Sequence, residues 1–193
     1  MLYLILGLVI FLGVHSVEIF SPTFRADTVA RIGEKPYKGI YSLLSIVGFV
    51  LIVWGYGLAR QEPILVYAPP VWMRHITLLL MVPVFILFLA AYLPGRIKAA
   101  LKHPMLVSVK LWAFAHLLAN GMLADVLLFG SFLAWAVADR ISVKRRAVVR
   151  PVPGPPPSKY NDAIAVVGGL ALYVIFVLWA HAKLIGVSPL PAM

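Results

Sequence analysis

The chain contains no cysteine. Disulfides, thiolate-ligated haem, covalently attached c-type haem and iron–sulfur clusters on their usual thiolates are therefore excluded. Charge is also scarce: 12% of the 193 residues are Asp, Glu, Lys or Arg, and only 7 are acidic. A soluble domain of this length has far more polar surface to cover. The sequence has no phosphate-cradling glycine loop, no nucleophile elbow with a matching triad and no HExxH zinc helix. It shows no internal repeat and no matched pair of broken helices, which leaves a transporter little support. What remains is apolar, with 62% hydrophobic residues and a mean hydropathy of +0.96. This composition places the chain in lipid, as one compact all-α transmembrane bundle over residues 1–193.

A formal net charge of +10 would ordinarily raise the question of nucleic acid. Here the basic residues lie in short loops between long apolar runs, where they set topology and attract anionic headgroups. The basic residues therefore point to membrane lipids and not to nucleic acid as partners; a membrane or cytoplasmic redox protein is expected only with the haem-binding reading below. The opening MLYLILGLVIFLGVHSVEIF has no basic start and no small-residue cleavage site. It reads as a first membrane helix instead of a leader.

A hydrocarbon core about 30 Å thick takes roughly 20 helical residues to cross. Four spans follow directly, at 2–20, 40–58, 75–93 and 163–182. The stretch 104–138 would be roughly 52 Å long as one helix, too long for a single crossing. Broken at Asn120-Gly121, a good turn pair, it becomes a hairpin of two short spans. Loop charge favours the hairpin. Six spans put 13 basic residues on one side and 3 on the other, with Lys110 inside a span and close enough to the interface to snorkel. Five spans would split them 8 against 8. By the positive-inside rule the chain is expected to have six spans in an inner membrane, with both termini outside the cytoplasm. The longest loop, 139–162, is cytoplasmic, basic and proline-rich, with PVPGPPP expected to be extended. It serves as a linker near anionic lipid or as a docking strand.

Ionisable groups inside spans are costly and therefore mark candidate sites. His15 falls in the inner half of the first span and His103 at the inner start of the fourth. On the outer side, His75 opens the third span, His116 lies near the end of the fourth and His181 closes the sixth. His75 and His181 are close to headgroups, where a histidine needs no special role. His15 and His116 lie deeper, and a neutral imidazole there needs a hydrogen-bond partner or a metal. Glu18 is one turn past His15 and is expected on nearly the same face, as structural partner, proton relay or orienting carboxylate. Trp112, His116 and Asn120 recur every four residues as one stripe, which suits a flat cofactor or a helix seam. His103 and His116 are thirteen residues apart and point to different faces. Asp125, just past the turn, is expected to pair with Asn120, His116 or an arginine.

Several stretches together resemble the NnrU family of bacterial membrane proteins: GVHSVEIF at 13–20, KPYKGIYSLLSIVGFVLIVWGYG at 35–57, HPMLVSVKLWAFAHLLANG at 103–121 and HAKLIGVSPLP at 181–191. That family is associated with denitrification and nitric-oxide metabolism. It is similar to 15-cis-zeta-carotene isomerase, a membrane protein with haem b on histidines. The resemblance implies haem b on His15 and His116 beside Trp112, with His103 in reserve. It also implies either nitrogen-oxide metabolism or redox-dependent isomerisation of a lipid-soluble polyene. An ideal bundle offsets His15 from His116 by roughly 10 Å, so His15 with His103, or the group His75, His116 and His181, remain alternatives. The HP element also resembles membrane methyltransferases that bind S-adenosylmethionine through RHP. Here it is KHP, followed by the basic DRISVKRRAV where such enzymes carry glutamates. A non-catalytic scaffold or assembly factor, working through the proline-rich loop, is the other reading.

Overall fold

The structure is a computed structural model, and it describes residues 1–21, 23–146 and 152–190. In chain order the elements are α1 (Leu2–His15), α2 (Val17–Phe20), α3 (Phe24–Ile32), α4 (Glu34–Ala59), α5 (Met73–Tyr92), α6 (Arg96–Leu101), α7 (Pro104–Ala119), α8 (Leu123–Val143) and α9 (Asn161–Ile175). A π-helical turn at Phe176–Ala180 then leads into α10 (His181–Ile185). The protein is all-helical. Four helices among the described residues are long and apolar enough to cross a membrane: α4, α5, α8 and the continuous stretch Asn161–Ile185. The apolar helices α1 and α7 are shorter. This is a membrane protein.

The chain divides into two compact units, each assembled from two segments. One comprises Met1–Ala68 with Asn120–Val149, the other Pro69–Ala119 with Arg150–Met193. In the first, α1 and α4 pack antiparallel along a seam that leaves no room for a Cβ. A methyl on Gly7 would sit 2.5 Å from the Ile52 nitrogen, and one on Gly55 would overlap the backbone of Leu4. Such close approach is how helices gain dispersion energy in lipid, where apolar burial itself drives nothing. Leu4 is fully buried there, and Tyr3 stacks on Trp54 at 4.6 Å. α8 runs parallel to α1, since Phe11 meets Phe132 and His15 meets Trp135 further along both helices.

The chain breaks at Asn120-Gly121, as expected of that pair: α7 ends at Ala119 and α8 begins at Leu123. A strap from the α4–α5 connection holds the start of α8. The Gly121 carbonyl accepts from the Val66 and Tyr67 amides at 2.9 and 3.1 Å, and Leu123 N donates to the Ile64 carbonyl at 2.7 Å.

In the second unit α5 is central and antiparallel to both neighbours. Thr77 Oγ1 donates to the Ala115 carbonyl and Ser108 Oγ to the Val84 carbonyl of the α5–α7 pair. Against α9, the Tyr173 hydroxyl donates to Leu78 O at 3.0 Å. Asn161 Nδ2 donates to Pro94 O at 2.8 Å. Asp162 accepts from the Arg96 and Ile97 amides at the start of α6. Pro83 sits inside α5, as proline can in membrane helices whose freed carbonyls find other donors.

Several boundaries differ from the sequence expectation, among them the start of α4, at Glu34 instead of 40. The span read as 2–20 is interrupted at Ser16, whose amide bonds three residues back to Gly13 and separates α1 from α2. The loop read as starting at 139 starts later, because α8 continues to Val143. Its extra turn carries Asp139 towards Arg146, which binds it. From Val152 to Pro157 that connection has no regular secondary structure and is exposed. The part at 147–151, including Arg150, lies outside the described residues.

Candidate functional site

One end of the first unit is polar. The end of α1, α2, the start of α3 and of α4, and the last turns of α8 line an open cavity of about 410 Å³. His15, Glu18, Arg25, Tyr37, Lys38, Tyr41, Trp135, Asp139 and Arg146 are among its lining residues. At its centre of charge Arg146 holds two carboxylates. It binds Glu18 at 3.3 Å and Asp139 more closely, and its Nε donates to Ser142 Oγ at 3.2 Å. The three side chains are 15%, 28% and 13% exposed respectively, so each carboxylate has lost much of its water and needs the guanidinium. Arg25 lies over the Tyr37 ring at 5.4 Å, and Lys38 pairs with Glu34 at 2.9 Å on the exposed side.

His15 is braced by rings. Phe11 stacks on it at 4.2 Å, while Tyr41 and Trp135 approach at 5.3 and 6.2 Å. Its Nδ1 lies 2.6 Å from the Phe11 carbonyl. A carbonyl oxygen only accepts, so Nδ1 carries the proton and the neutral ring keeps its lone pair on Nε2. The orienting group is therefore the carbonyl one turn back in its own helix. Glu18, for which an orienting role is one of three expectations, binds Arg146, and the interruption at Ser16 breaks the regular helical register between it and His15.

The remaining histidines belong to the second unit. His116 uses the same device, with Nδ1 2.8 Å from the Trp112 carbonyl and its ring 5.5 Å from the Trp112 ring. His181 Nδ1 lies 2.6 Å from the Val187 carbonyl. His103 stands directly before Pro104 at the start of α7, and His75 is exposed in the first turn of α5. Among the described residues no group of three His, Asp or Glu side chains gathers closely enough to hold a metal ion, so His75, His116 and His181 do not form one.

Asn120 and Asp125 act at the turn in the first unit. The Asn120 carbonyl accepts from the Tyr67 hydroxyl at 2.8 Å. Asp125 accepts from the Tyr56 hydroxyl at 2.5 Å and from Met122 N at 3.2 Å. Partial burial, and then the charge of Asp125, push the Tyr67 hydroxyl above its ordinary pKa, which keeps it a donor.

Trp135, Asp139 and Arg146 were not singled out from sequence. Their spacings of four and seven place them on one face of α8 and its continuation, which was the available signal. The Trp135 Nε1 is buried and has no hydrogen-bond partner among the described residues.

A family model described as NnrU protein matches residues 3–189. The chain belongs to the NnrU family. No curated protein and no solved structure matches it. The NnrU match runs from the first turn of α1 past α10, so the polar end of the first unit and all five histidines fall within it.

Proposed function

We propose that this NnrU-family protein is a six-span protein of the bacterial inner membrane, with both termini outside the cytoplasm, that carries haem b on histidine and serves nitrogen-oxide metabolism. The six-span part rests on loop charge and on helix direction. In the first unit α1 and α8 run opposite to α4, and in the second α7 and α9 run opposite to α5. Alternate crossings broken at Asn120-Gly121 require those directions.

The single observation that supports haem is how His15 is held. With Nδ1–H given to Phe11 and the ring fixed between aromatic neighbours, Nε2 is the atom left to ligate iron. His15 thus fits a haem-iron ligand, and the Nδ1 of His116 is held by the Trp112 carbonyl in the same way. His103 stays in reserve. Bound haem would supply one-electron chemistry at iron and, once one histidine left, a place for a diatomic such as nitric oxide. This chain's own part is to fix the tautomer and, through Glu18, Asp139 and Arg146, to hold charge beside the His15 ring.

The test is an absorption spectrum, oxidised and dithionite-reduced, of protein purified from haem-replete cells. His15→Ala, His103→Ala and His116→Ala would be run beside it. A b-type Soret band that shifts on reduction and fails in the His15 and His116 variants is expected. A well-folded wild type with no chromophore would overturn the haem reading. A second reading, a scaffold for a partner, is favoured by the exposed Val152–Pro157 segment, which has no regular secondary structure. Deleting 150–158 would then abolish partner capture, whereas a haem site in the helices would keep its spectrum.

A further inference from the structure

The connection between α4 and α5 is poorly suited to water. Between Glu62 and Arg74 it carries no charged residue, and Ile64, Leu65, Val66, Val71 and Trp72 are each more than half exposed. Its two halves belong to different units, and each is fixed to the end of a membrane-length helix within its own. In the first unit Leu65 and Met122 form an antiparallel bridge, and the Ile64 carbonyl accepts from the amide of Leu123, the first residue of α8. A Cβ on Gly121 would overlap the Tyr67 carbonyl oxygen, so the strap lies hard against the turn. In the second unit Val71 and Trp72 run straight into α5, their carbonyls accepting from the Arg74 and His75 amides.

Those helix ends set the depth. A helix long enough to cross finishes where hydrocarbon gives way to headgroups, so residues bonded to its first turn lie at that level. They cannot lie deeper, because irregular backbone facing hydrocarbon would leave amides and carbonyls without partners. Raised into water, they would instead expose a run of apolar side chains. From this arrangement we propose that residues 64–72 lie in the membrane interface as an anchor, with Leu65, Val71 and Trp72 among the lipid acyl chains. Headgroup water bonds the backbone there, Pro69 and Pro70 have no N–H to satisfy, and tryptophan favours that layer. Lipid is the occupant because the surface is continuous with one that lipid already covers. Apolar side chains are exposed on α4 before the connection and on α5 after it, Val53 and Leu79 among them.

Site-directed fluorescence of the full chain in lipid nanodiscs tests this. Both faces are open there, so the result does not depend on which side the termini occupy. The chain has no cysteine, so Leu65→Cys, Val71→Cys, Val53→Cys and Lys159→Cys each take a single environment-sensitive label. Val53 reports the depth of a crossing helix, and Lys159 the water beside an exposed connection. Labels at 65 and 71 are expected to be quenched by spin-labelled lipid, roughly 5–10 Å below the headgroup boundary, and to be shielded from aqueous iodide. Iodide access at either position equal to that at 159 would overturn the proposal, as would a depth equal to that at 53. Shielding from both quenchers would also overturn it, and would give the face to a second copy or another protein. None of these readings uses the haem spectrum, so the anchor and the cofactor can fail separately.

Discussion

The two units handle polar side chains in opposite ways. In the second, Thr77, Ser108, Tyr173 and Asn161 each donate to a backbone carbonyl of a neighbouring segment, and every such bond closes within the packing. In the first, charged groups of both signs collect around open space, and a buried indole N–H has no acceptor among the described residues. A polar residue in a membrane helix therefore does not by itself mark a site. What distinguishes a site is whether its hydrogen bonds close inside the protein.

Several substitutions would sharpen or break that contrast. Gly55→Leu should have the largest effect, because its side chain would overlap the Leu4 backbone and part α1 from α4. A loss of about 3 kcal/mol or more is expected in reversible unfolding from micelles. Gly13→Leu, with open space around it, should cost almost nothing. Arg146→Ala should come next, at roughly 2 kcal/mol, a value below that of a fully buried pair because Glu18 and Asp139 keep some water. Adding Glu18→Gln and Asp139→Asn should restore much of it, as a triple-variant cycle would show. Tyr56→Phe should cost about 1–2 kcal/mol, since Asp125 is buried and would keep Met122 N–H as its donor. Ser108→Ala, in the second unit, should cost only about 0.6 kcal/mol, the usual worth of a hydrogen bond between membrane helices. A Ser108→Ala loss as large as that of Arg146→Ala would erase the distinction between the units.

What could be read from sequence was what depends on short stretches. Hydropathy located the membrane helices, and the turn propensity of Asn120-Gly121 located the break between α7 and α8. Pro104 marked the start of α7, where a missing N–H does no harm. The polar site was only half legible, because it is made by distant parts of the chain. Glu18 and Arg146 are 128 residues apart, and nothing local links them. His15 was visible as a polar group in an apolar helix. Its orienting partner was not, since Ser16 interrupts the helix at the residue where a regular i, i+3 alignment with Glu18 would have begun.

The lengths of α1 and α7 carry a consequence for the surrounding lipid. At 1.5 Å per residue, the 14 residues of α1 and 16 of α7 reach only about 21 and 24 Å, against a hydrocarbon layer of about 30 Å. On the six-span reading the bilayer must dimple beside each of them, and that elastic strain falls as acyl chains shorten. If both helices cross, the protein would favour a thin bilayer, and lengthening the lipid tails by a few carbons should lower its melting temperature with no residue changed.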